Sequence, residues 1–83
     1  MVTTIDKLKP IADFLLTHGV VYDESKMVWV LYDKYPYQSL REVIRDEQLW
    51  PLMDVVYKIK WQDVMWLEYP SLILFHELGL VKS

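Results

Sequence analysis

His18 and His76 are the side chains best suited to acid–base or metal chemistry, and neither has company in the sequence. Zinc would need further imidazole or carboxylate ligands at a recognisable spacing, and His76-Glu77 does not extend into an H-E-x-x-H pattern. His18 therefore reads as a helix-terminal residue and His76 as a partly buried or surface one. The adjacent carboxylates Asp23-Glu24 and Asp46-Glu47 diverge if they lie on a helix, which makes them solvated charges and not an acid–base pair. Ser25, Ser39 and Ser71 lack a glycine-flanked nucleophile elbow, and with Gly19 and Gly79 as the chain's glycines no phosphate-cradling loop can be written. The absence of cysteine excludes disulfides, thiolate nucleophiles and Cys-based zinc sites. These residues read as a non-enzyme that needs neither cofactor nor metal.

Nucleic-acid recognition is the other chemistry to weigh. Arg41 and Arg45 lie one helical turn apart, Lys58 and Lys60 follow, and short helices suit a helix-turn-helix. Glu42, Asp46 and Glu47 interrupt the basic stripe, however, and phosphate-driven affinity needs concentrated positive charge. The net charge of −3 gives no added support, so nucleic acid is kept as an alternative and disfavoured.

Positioning any of these groups falls to elements punctuated by prolines. Pro10, Pro36, Pro51 and Pro70 each precede a segment of helical pattern, and proline suits a first helical turn because its missing N–H would be unpartnered there. Tyr35, Trp50 and Tyr69 are then expected at bends. The first helix can begin at a Thr3…Asp6 cap, be kinked at Pro10 and end at Gly19. Tyr37, Leu40, Val43 and Ile44 form an apolar stripe opposite Arg41, Glu42, Arg45 and Asp46. Leu52, Val55, Val56 and Ile59 follow the i, i+3, i+4, i+7 rule, giving the clearest helical signal of the chain. A further helix over 60–68 puts Trp61, Val64 and Met65 on one side with Trp66 displaced. The last helix, Ser71 to Leu78, is apolar nearly all round and stops at Gly79.

Residues 20–34 admit two readings. Val20-Val21-Tyr22 and Met27 to Tyr32 suit a β-hairpin around Asp23-Glu24-Ser25-Lys26. A short helix capped by Asp23, with Lys34 near its C-terminus, is preferred. The expected fold is an all-α, compact single domain covering residues 1–83, with four or five short helices and a hairpin over 20–32 as the alternative. The apolar runs are far too short to span a bilayer, and the first residues do not read as a signal peptide. The expected location is the cytoplasm, that of the host if the protein is viral.

The composition carries an excess to be explained: 53% of the residues are hydrophobic, and four Trp, six Tyr and two Phe share a short chain. A domain of this size hides only about 60% of the surface its unfolded chain exposes. Trp and Tyr left outside are the residues that dominate interfaces. The stretch Lys60-Trp61-Gln62-Asp63-Val64-Met65-Trp66-Leu67-Glu68-Tyr69-Pro70, followed by Leu72 to Leu78, resembles the short Trp-rich helix pair near the end of some bacteriophage tail-assembly chaperones. That resemblance covers about 30 residues and implies a small helical protein that engages an apolar stretch of a tail protein. The expected function is non-enzymatic protein binding or assembly, to a partner or to a second copy. Trp61, Trp66, Tyr69, Leu74, Phe75 and Leu78 are the candidate contacts. The alternatives are a helical nucleic-acid-binding protein using Arg41, Arg45, Lys58 and Lys60, and a phage inhibitor of a host enzyme.

Overall fold

A computed structural model describes residues 4–68 and 71–82. It corrects the all-helical expectation: the chain forms a mixed domain in which helices pack around a three-stranded antiparallel sheet. In order, these are α1 (Thr4–Thr17), β1 (Val20–Asp23), β2 (Val28–Leu31), β3 (Tyr35–Tyr37), α2 (Leu40–Asp46), a π-helical turn (Leu52–Val56), α3 (Trp61–Val64) running into a 3-10 turn (Met65–Leu67), and α4 (Leu72–Leu78). None of the described helices is long and apolar enough to cross a membrane.

The apolar period of α1 places Leu8, Ile11, Ala12 and Leu15 inside, and the helix runs through Pro10 on its exposed side. It ends as the sequence indicates, with Gly19 at φ +77° and its amide donating to the Leu16 carbonyl at 3.1 Å. Gly19 meets a second demand, since a Cβ there would sit 2.5 Å from Cδ1 of Tyr32. Gly79 ends α4 at φ +73° with open space around the missing Cβ. Gly79→Ala should therefore cost only the left-handed penalty of about 1–2 kcal/mol. Gly19→Ala should cost more, because the Tyr32 ring must also move. Urea denaturation of the two variants checks the order.

Residues 20–31 adopt the hairpin, correcting the preferred helix. Val20 pairs with Leu31, Val21 with Val30, Tyr22 with Trp29 and Asp23 with Val28, so β-branched and aromatic side chains face one another across the ladder. Asp23 was the proposed helix cap, and it spends the same hydrogen-bonding capacity on the turn. Its Oδ1 accepts from the Ser25 hydroxyl at 2.6 Å, the Ser25 amide at 3.0 Å and the Lys26 amide at 3.3 Å. The Ser25 hydroxyl bond leads in holding the Asp23 carboxyl below the ordinary carboxylate range, against the opposing effect of desolvation. A lowered folded-state pKa contributes stability above the unfolded value and loses it as pH falls through the folded one. Thermal melts of the wild type and Asp23→Asn should thus differ near neutral pH and converge in acid.

Pro36 lies within β3, opposite Val30, and does not start a helix. The start of α2 is set instead by Ser39, whose Oγ accepts from the Glu42 amide at 3.3 Å, while Glu42 Oε2 accepts from the Gln38 amide at 3.1 Å. Leu40, Val43 and Ile44 form its buried face. After Pro51 the regular helix expected over 52–59 is replaced by the π-helical turn, in which the Tyr57 amide reaches the Leu52 carbonyl at 3.3 Å. The wider turn breaks the 3.6-residue stripe: Met53 and Ile59 are buried, whereas Val55 and Val56 are exposed.

Ser39 and Ser71 play parallel roles, since Ser71 Oγ accepts from the Leu74 amide at 3.5 Å to open α4. Beyond Gly79 the chain returns to the sheet, where Leu80 is fully buried and Val81 forms a parallel bridge with Tyr22. The Tyr22 amide donates to Leu80 O at 2.7 Å and the Lys82 amide to Tyr22 O at 2.8 Å. The sheet face bearing Tyr22 and Trp29 meets Phe75 of α4 in a buried triad, with ring centroids 5.0–5.3 Å apart. Three of the chain's twelve aromatic side chains are consumed here.

Candidate binding surfaces

Arg41 and Arg45 project from successive turns of α2 onto an open depression of about 390 Å³, shared with Ile44, Trp50 and Trp61. Trp50 comes from the turn after α2 and Trp61 from the start of α3. Their rings meet edge to face at 5.2 Å and 87°, which ties the two segments together. The Arg41 guanidinium carbon lies over the Trp61 ring, 5.6 Å from its centroid, while Nη2 donates to Sδ of Met65 at 3.6 Å and Nε faces Glu68 Oε1 at 3.8 Å. Glu68 Oε2 is buried without a hydrogen-bond partner, so this ion pair is incomplete. Among the described residues Arg45 pairs with its neighbour Asp46 alone, at 3.1 Å and with both side chains well exposed.

The acids of α2 also act on its other side. Burial foremost, then the nearby carboxylates of Glu47, Asp46 and Glu42, hold the Tyr37 hydroxyl above its ordinary range. The helix thus separates charge, with Arg41 and Arg45 on one stripe and Glu42 and Asp46 on the next.

The four basic residues named from sequence do not form one surface. Lys58 and Lys60 line a different depression with Lys7, Tyr57 and Asp63, and Lys58 sits at φ +55° after the π-helical turn. Positive charge gathers at Arg41 and Arg45 in one place and at Lys7, Lys58 and Lys60 in another, and not as the continuous stripe that a duplex backbone needs. We expect fluorescence anisotropy to show no tight, steeply salt-dependent binding to duplex DNA.

The candidate contact residues also separate. Phe75 and Leu78 are buried completely, and Leu74 is half-buried against the core. These positions cannot present a full contact face. Trp61 is half-buried beside Trp50, Trp66 is 60% exposed, and Tyr69 lies outside the described residues. The outward side of α4 is instead Leu72 and Ile73, the latter 77% exposed. Val55 and Val56 are further exposed apolar residues that the regular-helix reading had placed on a buried stripe. For α4 a signal was present in sequence, because a helix apolar all round must show one side. The polar pair His76 and Glu77, three and four residues after Ile73, marks that side, and Phe75 lies opposite it in the core.

His76 Nε2 lies 3.3 Å from Glu24 Oε2 and links α4 to the hairpin turn, while the His18 ring packs on Phe14 with centroids 4.4 Å apart. Among the described residues no group of three or more His, Asp or Glu side chains is placed to hold a metal ion. Comparisons with protein-family models, curated proteins and solved structures gave no match.

Proposed function

We propose that the protein is a non-enzymatic protein-binding domain whose contact surface centres on the outward side of α4 and the preceding 3-10 turn. The observation that carries this reading is the exposure of Ile73, with Leu72 and Trp66, although the same helix fills the core with Phe75 and Leu78. An aliphatic side chain 77% in water contributes little to the fold, and a partner that covers it gains apolar burial. Trp66 adds a large, nearly rigid contact of the kind that anchors interfaces. On the resemblance to tail-assembly chaperones, the partner would be an apolar stretch of a tail protein.

Affinity capture from the native host followed by mass spectrometry, run beside light scattering for a second copy, tests the proposal. The expected result is a stoichiometric protein or a dimer that Ile73→Asp and Trp66→Ser abolish while leaving the denaturation midpoint unchanged. A monomer at all concentrations, with no recovered protein sensitive to Ile73→Asp, overturns it.

A further inference from the structure

The depression between α2 and α3 has a composition different from that of the α4 surface. It is lined by Ile44, the two indoles and the side chains of Arg41 and Arg45, whose guanidinium groups supply its charge. Arginine covers apolar surface with its methylenes while leaving its charge available, so this place favours a ligand apolar in the middle and anionic at the side. Of the two arginines Arg45 is the more freely available, since Arg41 faces the mostly buried Glu68 carboxylate. Glu68 reaches Arg41 through one oxygen at 3.8 Å, and the Arg45–Asp46 pair is a solvent-exposed contact between sequence neighbours. A carboxylate from outside can take a bidentate geometry that neither partner has.

We propose that this groove binds a short acidic peptide segment, seating one leucine or aromatic side chain against Ile44, Trp50 and Trp61 and placing a flanking carboxylate on Arg41 and Arg45. Charge complementarity selects the peptide over other occupants. A cationic ligand would meet two guanidinium groups, and a nucleic-acid strand would need the positive charge to continue, whereas Lys58 and Lys60 line another depression. The volume, about 390 Å³, lies at the small end of ligand sites and suits one anchor with its flanks. The inference rests on the protein-binding reading but concerns a separate set of residues.

The probe is a fluorescein-labelled, end-blocked peptide Asp-Glu-Leu-Phe-Glu-Asp, titrated with the full chain and followed by anisotropy. Saturable binding is expected, weakened about tenfold or more in Arg41→Gln/Arg45→Gln. Arg41→Lys should lose part of it, because the charge remains but the guanidinium's forked, bidentate geometry does not. Replacing Leu-Phe by Ser-Ser, or the acids by their amides, should each abolish it. Both arginines are largely exposed, so circular dichroism should show the double variant folded. Failure of the peptide to bind, or undiminished binding to the folded double variant, overturns the proposal. Tighter binding of a labelled oligothymidylate to the same arginines also overturns it and assigns the groove to single-stranded nucleic acid. None of these three outcomes touches the α4 surface, whose loss is read separately by Ile73→Asp.

Discussion

Phe75→Ala should remove about 3–5 kcal/mol of stability, whereas Ile73→Ala, two residues away on the same helix, should change it by no more than about 0.5 kcal/mol. Phe75 is wholly buried and touches both Tyr22 and Trp29, with centroids 5.0 and 5.1 Å away. Its deletion leaves a hole between α4 and the sheet that two large rings cannot fill without leaving their own contacts. Ile73 loses only solvent-exposed methyl groups. Chemical denaturation measures both variants, and equal losses would mean that α4 is covered on both sides within the monomer. For a domain with total stability of about 5–15 kcal/mol, the Phe75 change takes a large share.

Ending the chain after Gly79 should be more damaging still, although it removes only Leu80 to Ser83. Leu80 is fully buried, and losing such a side chain costs about 2–5 kcal/mol. The two main-chain hydrogen bonds to Tyr22, at 2.7 and 2.8 Å, disappear with it, each with a net contribution of about 1 kcal/mol. Lys82 also leaves Asp33, whose carboxylate it meets at 2.7 Å; that hydrogen bond is the main reason the Lys82 amine is held above its ordinary range. The truncated chain should be largely unfolded by circular dichroism. A cooperative melt near that of the full chain would refute this account of the tail. The point variant Leu80→Ala, which keeps the backbone bonds, should fall between the two.

The features legible in the sequence were those with a local cause. Gly19 and Gly79 end helices because a left-handed residue after a helix is a requirement on one position. Val64 turned inward and Trp66 outward as the apolar pattern implied, although Met65–Leu67 winds as a 3-10 turn and not as part of one helix over 60–68. The readings failed where two local preferences competed or where a distant segment decided. Asp23 can cap a helix or close a turn with the same oxygen, and the cross-strand pairs that favoured the turn are not visible from position 23. Pro36 suits a helix start or a strand with few ladder bonds, while the Ser39…Glu42 cap three residues later was the better marker. At Leu52 to Val56 the apolar spacing was right for a regular helix, but the chain took the wider turn that buries Met53 and Ile59. Of the groove, Arg41 and Arg45 were legible as a pair. Their meeting with Trp50 and Trp61 depended on how the chain returns after α2, which no spacing encodes.

The placement of the C-terminal residues and of Pro36 bears on how this sheet behaves among copies of itself. A β-sheet ends in rows of unpaired amides and carbonyls that invite another strand, and small proteins must blunt them. Here Leu80 to Lys82 occupies the border beside β1, and the opposite border is a strand of three residues whose middle one has no amide hydrogen to offer. Growth by strand addition is thus discouraged on both borders. Strand addition is disfavoured even while apolar side chains stand in water elsewhere on the molecule, which leaves side-chain contacts as the easier route to association.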